Sequence, residues 1–247
     1  MPALTQASAI GPRSIWTYGE LVSNWLRIDA GVTSERPQAD GRPGGPGWRR
    51  CKRLVDVVGA AVLLVLLLPA LSIILAVVWA TGGAPIYGHE RIGRGGRPFL
   101  CWKVRTMVPD AEARLEAILR ADTVRADEWA RDHKLRDDPR VTWLGRWLRL
   151  TSLDEVPQLW NVLRGEMSLV GPRPVTRPEL ARYGASARHY LAVRPGLTGM
   201  WQLDGRNALP YARRVLLDRF YVMKPSIRRD FALLSRTPFA IARRTGR

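Results

Sequence analysis

The sequence is poor in the residues that build disulfide frameworks and compact metal sites. Its 247 residues include two cysteines, Cys51 and Cys101, which lie 50 positions apart and can form neither a disulfide framework nor a thiolate zinc site. The three histidines are scattered: His89, His133 and His189. HERIG at 89–93 lacks the second histidine of a zincin helix, and there is no Walker phosphate-binding loop, so neither zincin nor P-loop chemistry is indicated. A reducing, cytosol-facing environment fits best.

Acidic residues are also scarce. There are 22 Asp and Glu against 39 Lys and Arg, which gives a net charge of +17, and +14 of this falls in residues 81–247 because residues 1–50 carry +2 and residues 51–80 carry +1. An excess of this size predicts a polyanionic partner: nucleic acid, an anionic membrane surface or a phosphate-bearing substrate. A hydrophobic content of 46% excludes a wholly disordered chain. Composition alone does not choose among the three partners.

One long stretch has no charged side chain. Residues 57–80 read VVGAAVLLVLLLPALSIILAVVWA. At about 1.5 Å per residue, such a helix could cross a bilayer core of roughly 30 Å. A buried core helix usually needs only about 10–14 apolar residues, and a signal peptide would lie nearer the N-terminus. We predict a membrane segment at 51–84, preceded by a poorly ordered lead-in at 1–50.

The charges around this segment bear on its topology. Arg and Lys flank both of its ends: Arg42, Arg49, Arg50, Lys52 and Arg53 come before it, and Arg91, Arg94, Arg97, Lys103 and Arg105 follow it. Basic residues favour the cytoplasmic side, so a hairpin that enters and leaves on one face suits both clusters. Pro69, in the middle of the run, is a natural break point. A re-entrant helix is favoured, and a kinked spanning helix stays open.

Residues 85–247 alternate short strand-like and helix-like stretches, which predicts a mixed, mostly helical α/β domain. A strand is expected at 98–107 with Lys103 and Arg105 on one face. A helix is expected at 156–163, closed by Gly165. The last 24 residues form a polybasic tail suited to anionic lipid headgroups: Lys224, Arg228, Arg229, Arg236, Arg243, Arg244 and Arg247. The whole is predicted to be a monotopic membrane protein.

The densest group of functional side chains lies at 149–174, RLTSLDEVPQLWNVLRGEMSLVGPRP. It contains the adjacent acids Asp154 and Glu155. Ser152 and Glu155 could simply form a helix capping box, and acidic first turns are common because they complement the helix dipole. Pro157 would then fall inside the helix and lose a hydrogen bond, so either the helix begins later or its first turn is distorted.

A functional interpretation of the acid pair rests on its surroundings. Phosphoryl transfer from a nucleotide needs carboxylates for a divalent metal, cations for phosphate oxygens and a nucleophile, which can be an aspartate. Candidate cations are Lys103, Arg105, Arg149, Arg173 and Arg206. Each of them alone is more often a solvated surface residue.

Several long motifs occur in an order typical of one family. They are KRLVD, YGHERIGRGGRPFLCWKVRTM, DPRVTWLGRWLRLTSLDEVPQLWNVLRGEMSLVGPRP, RPGLTGMWQLDGRN and LDRFYVMKPSIRRDFALLSRT. Over about residues 52–237 the chain resembles the bacterial sugar transferase family, the monotopic polyprenyl-phosphate phosphoglycosyl transferases, and within it undecaprenyl-phosphate galactose phosphotransferases. Two departures are Leu68 before the membrane proline, where serine is frequent, and Val104 in KVRTM, where an aromatic is frequent.

The resemblance implies an enzyme that transfers a sugar 1-phosphate, galactose in preference to glucose, from a UDP-sugar to undecaprenyl phosphate and releases UMP. It implies Asp154 as the nucleophile that carries the phosphosugar, Glu155 as its partner, and Mg²⁺ held by one or both. The basic residues named above would bind phosphates or nucleotide. It further implies a re-entrant helix broken at Pro69, the cytoplasmic face of the bacterial inner membrane, anionic lipids as partners and no nucleic acid, with a homodimer as an expectation.

Two other classes of protein compete with this enzyme. A membrane-tethered module that binds nucleic acid or another polyanion would explain the positive charge equally well, and its binding would fall steeply with salt and survive loss of Asp154. A non-catalytic scaffold for polysaccharide assembly would need a broken carboxylate pair, whereas both acids are present here.

Overall fold

The computed structural model describes residues 43–132, 135, 137–204 and 209–242. The lead-in up to residue 42, residues 243–247 of the polybasic tail and Arg206 lie outside these ranges. The helices are α1 (Pro46–Ala80), α2 (Ala111–Ala121), α3 (Thr123–Asp132), α4 (Trp143–Thr151), α5 (Gln158–Arg164), α6 (Arg177–Ala181), α7 (Ala187–Ala192), α8 (Met200–Leu203), α9 (Tyr211–Met223) and α10 (Ile227–Ala242). The strands are β1 (Ile86–Ile92), β2 (Pro98–Val104), β3 (Ser168–Val170) and β4 (Gly196–Thr198), and short 3₁₀ helices lie at Arg94–Gly96, Leu153–Glu155 and Gly184–Ser186. A mostly helical α/β fold is confirmed.

Helix α1 contains the long apolar run. It has 35 residues, a length of about 50 Å, and it begins with Pro46 in its first turn, where a missing N–H costs nothing. Among the described residues it is the one helix long and apolar enough to cross a membrane. Side chains near its middle are exposed, 70% for both Val65 and Leu66, as expected for a surface covered by lipid. The helix continues through Pro69, so the turn-back of the predicted hairpin is not itself visible.

The N-terminal end of α1 is fastened to the rest of the domain by buried polar contacts. Lys52 donates to a carboxylate oxygen of Asp230 in α10 at 3.0 Å. The carboxylate of Asp56 accepts the hydroxyl of Ser168 in β3 at 2.9 Å. Arg53 donates to two carbonyls at the end of α5, at 2.7 and 2.9 Å, where a helix leaves its last acceptors without partners.

The C-terminal end of α1 is fastened to the same domain. Arg105, just after β2, donates to the carbonyl of Val78 at 2.9 Å and to the hydroxyl of Thr81 at 3.2 Å. Both ends of the apolar helix therefore contact one domain.

Two small sheets support the site. β1 and β2 form an antiparallel hairpin from Ile86 opposite Val104 to Ile92 opposite Pro98, whereas β3 and β4 are parallel. α5 packs on β2 through Asn161, whose side-chain amide is wholly buried. Its oxygen accepts the backbone N–H of Trp102 at 3.1 Å, and its nitrogen donates to the carbonyl of Leu100 at 2.8 Å. This side chain thus makes the two backbone hydrogen bonds to β2 that a neighbouring strand would otherwise make.

A cluster of tyrosines forms a second part of the core, between α6, α7 and α9. The ring of Tyr183 meets the ring of Tyr190 edge to face, with centroids 5.5 Å apart. Tyr190 donates to the carbonyl of Ile92 at 2.6 Å, which ties this cluster to the end of β1. Tyr183 donates to the buried carboxylate of Asp218 in α9 at 2.7 Å.

Candidate active site

The acid pair lies in a turn between two helices and not in the first turn of one. α4 ends at Thr151, and Ser152 takes a left-handed conformation with φ of 57°, the one positive φ at a non-glycine position in the described part of the chain. The chain then forms the 3₁₀ turn that carries Asp154 and Glu155. α5 begins only at Gln158, after Pro157. Ser152 makes no side-chain capping bond, so the capping box is not formed and the proline is accommodated by the later helix start.

Two distant segments bring positive charge to this pair. Nζ of Lys103, in β2, donates to Oε1 of Glu155 at 2.6 Å and lies 3.8 Å from Oδ2 of Asp154. A guanidinium nitrogen of Arg173 lies 3.8 Å from the same oxygen of Glu155. Lys103 is therefore hydrogen-bonded to Glu155, and it lies close to Asp154 without a hydrogen bond to it.

The surroundings set the charge states of these groups. Asp154 is only 8% exposed, and this burial raises its pKa to about 6; Lys103 opposes the rise, Glu155 adds to it, and Arg149 and Arg173 oppose it. Burial acts to lower the pKa of Lys103, but Glu155 and Asp154 together outweigh this effect, and the pKa lies above its ordinary value. Near neutral pH the result is an ionised, poorly solvated aspartate beside a charged lysine, as a nucleophile requires.

The remaining predicted cations fall at different distances from the pair. Nε of Arg149 donates to the hydroxyl of Thr106 at 2.9 Å, and its charge acts on Asp154. Arg105 contacts the end of α1 instead. The expectation that it shares a face with Lys103 is wrong, because β2 ends at Val104 and the alternation of side chains ends with it.

The turn that carries Arg173 is held in place where its backbone closely approaches the backbone of the segment around Gly196. A Cβ on Gly171 would stand 2.7 Å from a backbone carbonyl, and one on Gly196 would clash with the backbone of Gly171. Without side chains, Gly171 donates to the carbonyl of Thr198 at 2.9 Å and Gly196 to that of Pro172 at 2.7 Å. The PGLTG segment at 195–199, whose proline and glycines are typical of turns, thus contains strand β4 and sets the position of the GPRP turn.

Sequence reasoning missed several residues of the cleft above the pair. Arg91, Gln158 and Gln202 line it together with Lys103 and Arg173. Arg91 donates to Glu179 at 2.8 Å. Glu179 also forms a capping box with Thr176 at the start of α6. The T-R-P-E sequence at 176–179 is typical of such a box, so this helix start could have been predicted from the sequence.

The carboxylates could hold a metal only in an open site. No group of three or more Asp, Glu, His or Cys that could enclose an ion occurs in the described ranges. Magnesium, however, is commonly bound by one or two carboxylates and completed by water and substrate phosphates. Asp154 and Glu155 fit such an open magnesium site, with two carboxylates from the protein.

A long apolar helix joined to a domain with a desolvated aspartate among cations defines a class: membrane-associated proteins equipped for phosphate chemistry. Comparison with known proteins agrees with this class. Residues 47–244 match the family model described as bacterial sugar transferase, and the chain belongs to this family.

Three relatives show how far the similarity extends. The chain is 52% identical over 198 residues to a UDP-galactose-lipid carrier transferase of Erwinia amylovora, and 44% identical over 198 residues to an undecaprenyl-phosphate galactose phosphotransferase of Salmonella typhimurium. Each alignment covers 80% of this chain but 42% of the relative, so the chain spans less than half of their length. An exopolysaccharide production protein ExoY of Rhizobium meliloti is 47% identical over 187 residues, covering 75% of this chain and 83% of that protein.

Proposed function

We propose that the protein transfers a sugar 1-phosphate from a UDP-sugar to undecaprenyl phosphate, releases UMP and so begins the assembly of an exopolysaccharide, O-antigen or capsule. The observation that carries the proposal is Asp154, buried and 3.8 Å from Lys103, which lines a basic cleft together with Glu155 and Arg173. Family membership supports the reaction class. Galactose is the first sugar to test, because two of the relatives above are named for it.

In the first half-reaction, an oxygen of the Asp154 carboxylate attacks the sugar-linked phosphorus of the donor. The bond from that phosphorus to the bridging oxygen breaks, and UMP leaves with the electron pair. Lys103 and Arg173 bind the phosphate oxygens, and the hydrogen bond of Lys103 to Glu155 keeps the lysine from covering the nucleophile.

In the second half-reaction, a phosphate oxygen of undecaprenyl phosphate attacks the phosphorus bonded to Asp154. The P–O bond to the aspartate breaks, which restores the carboxylate and yields the lipid diphosphate sugar. No proton has to be transferred, so the site needs no histidine, and the described residues that line the cleft include none.

Asp154 and Glu155 would hold Mg²⁺, whose charge would offset that of the donor diphosphate. EDTA should abolish turnover and added Mg²⁺ should restore it, whereas Ca²⁺, a larger ion with looser geometry, should restore it poorly. Full activity in EDTA would contradict this part of the proposal.

We also propose that α1 is re-entrant and that the domain lies on the cytoplasmic face of the inner membrane. Support comes from Arg53 and Arg105, which fasten opposite ends of α1 to one domain. An impermeant maleimide can probe each end of α1 in turn. The wild-type protein reports one end through the exposed Cys51, and the double variant Cys51→Ser/Ala84→Cys reports the other end, where Ala84 is exposed. In intact spheroplasts a re-entrant helix leaves both protected, whereas a spanning helix exposes one of them. Cys101 is buried and should stay silent.

Anionic lipids and a second copy of the chain are further proposed partners. Arg228 and Arg236 on α10 are exposed and can reach headgroups. Loss of binding to phosphatidylglycerol vesicles on their replacement by glutamine would support the lipid contact. The mass of the protein in nanodiscs tests the homodimer.

The experiment that tests the function is UMP release by purified protein with Mg²⁺ and undecaprenyl phosphate, given UDP-galactose or UDP-glucose, with Asp154→Asn alongside. Lipid-dependent release by the wild type alone supports the transferase and names its sugar. No release with a broad panel of UDP-sugars, from folded protein, would contradict it and favour a scaffold or a polyanion-binding module.

A further inference from the structure

A second cleft lies where α1 meets α4. The walls of this cleft, called the α1–α4 cleft below, are mostly apolar and are formed by Val77, Val78, Met107, Trp143 and Leu144. Arg105 and two threonines, Thr81 and Thr142, complete them. Trp143 is 81% exposed, and Trp79, beside the cleft on α1, is 70% exposed. Tryptophans in such positions are typical of a membrane–water interface, so this cleft opens at the level of the lipid headgroups.

The α1–α4 cleft contains one positive charge. The Arg105 guanidinium donates from one nitrogen to Val78 and Thr81, and it has five N–H donors in all. No described carboxylate lies within ion-pair distance of it. A half-buried cation without an acidic partner, in a mostly apolar cleft, suits a ligand that is both anionic and apolar.

The end of β2 and the residues that follow it link this cleft to the candidate active site. Lys103 points from β2 to the acid pair, and Arg105, two residues later, points to the α1–α4 cleft. Thr106 follows and binds Arg149, whose charge acts on Asp154. A phosphate on Arg105 would therefore approach the acid pair from the membrane side, and the basic cleft above would remain open for a nucleotide from the cytosol.

We propose that the α1–α4 cleft binds the lipid monophosphate acceptor, with its phosphate on Arg105 and its first prenyl units against Val77, Trp143 and Leu144. This inference rests on the proposed function, because it assumes a lipid acceptor. It divides the cations into two groups: Lys103 and Arg173 serve the donor, and Arg105 serves the acceptor.

The first test fills the cleft without touching its cation. Val77→Trp puts a large ring into the cleft, and Val58→Trp puts the same ring on the opposite end of α1, where the valine is similarly exposed at 52% against 44%. The apparent KM for undecaprenyl phosphate should rise about tenfold or more in Val77→Trp alone. The KM for the UDP-sugar and the lipid-independent half-reaction should stay unchanged in both. An unchanged KM for the lipid in folded Val77→Trp would overturn the proposal.

The second test needs no turnover. A diazirine-bearing polyprenyl phosphate is photocrosslinked to wild-type protein in nanodiscs, and the labelled peptide is identified by mass spectrometry. Label should appear at 143–144 and 77–78 and should fall in Arg105→Gln. Undecaprenyl phosphate should compete, and neither phosphatidylglycerol nor inorganic phosphate should do so.

The outcomes separate this inference from the proposed function. Label elsewhere, or equal competition by phosphatidylglycerol, overturns the acceptor site even in an active enzyme, and the latter result would indicate a general phospholipid cleft. Competed label in the cleft supports the site even if no UDP-sugar yields UMP, a failure that would count against the proposed function alone.

Discussion

Two buried aspartates show what distinguishes a reactive carboxylate from a structural one. Burial is the largest cause of the raised pKa in both, to about 6 for Asp154 and about 7 for Asp218. Asp154, however, lies 3.8 Å from Lys103 and adjoins Glu155, and both of these neighbours line a cleft, whereas Asp218 is enclosed in the tyrosine cluster and accepts the hydroxyl of Tyr183. Desolvation alone therefore does not mark a nucleophile; access and neighbouring cations do.

Replacing each aspartate by asparagine tests this contrast with the largest expected effect. Asp154→Asn should lower turnover by at least about 1,000-fold, because an amide cannot form the phosphosugar bond. Asp218→Asn should change turnover by less than about threefold, since the amide oxygen can still accept from Tyr183. UMP release is the measurement, with circular dichroism to establish folding. Equal losses in the two variants would contradict the distinction.

Removing the cation beside Asp154 should have the next largest effect. Lys103→Met should lower turnover roughly 100-fold, as loss of a positioned charge does at other active sites. Wild-type activity should fall about tenfold per pH unit below 6, since Asp154 must be ionised to attack. Because Lys103 lowers the pKa of Asp154, the variant should lose activity at a higher pH. Lys224→Met is the control, and an unshifted acidic limb in Lys103→Met would argue against the contact.

A third buried aspartate extends the comparison from activity to stability. Asp230 has its pKa raised by burial, against the opposing charge of Lys52, which donates to it at 3.0 Å. Lys52→Met should lower the free energy of unfolding by roughly 3–5 kcal/mol, because it leaves a buried carboxylate without its cation. Denaturant unfolding in detergent measures this loss, and Lys52→Met/Asp230→Leu should recover part of it. A loss near zero would mean that the pair does not fasten α1.

The smallest expected effect concerns stability and pH at Asp218. Its pKa rises from 3.8 to about 7 on folding, so between about pH 4 and 7 the folded state binds more protons than the unfolded state. Stability should therefore fall as the pH rises through this window. Asp218→Asn should flatten the dependence of Tm on pH between 4.5 and 8. An unchanged slope would show that Asp218 does not titrate as its burial implies.

Much of this organisation could be predicted from the sequence, because local physics controls it. The uncharged run gave a membrane-length helix, Pro157 indicated a later helix start, and Gly165 does end α5 in a left-handed conformation. The motifs led to the family, which the family model confirms. The predicted roles of Asp154, Glu155 and the cations stay predictions.

What could not be predicted depends on contacts between distant segments. The direction of the Arg105 side chain depends on β2 ending at Val104, one residue before it, and on the position of α1. The role of Asn161 as a substitute strand needs α5 and β2 to be adjacent. The pairing of β3 with β4 depends on Gly171 and Gly196, and no local pattern shows that these two glycines meet.

The most direct test of the central claim, that Asp154 is the nucleophile, is to look for the phosphosugar bonded to it. Protein incubated with UDP-galactose labelled in the sugar-linked phosphate, with Mg²⁺ and without lipid, would be quenched, digested and mapped. We predict label on the peptide that contains Asp154, chased by undecaprenyl phosphate and missing from Asp154→Asn. UMP release that requires lipid from the first turnover, with no labelled protein or with label on another residue, would contradict it.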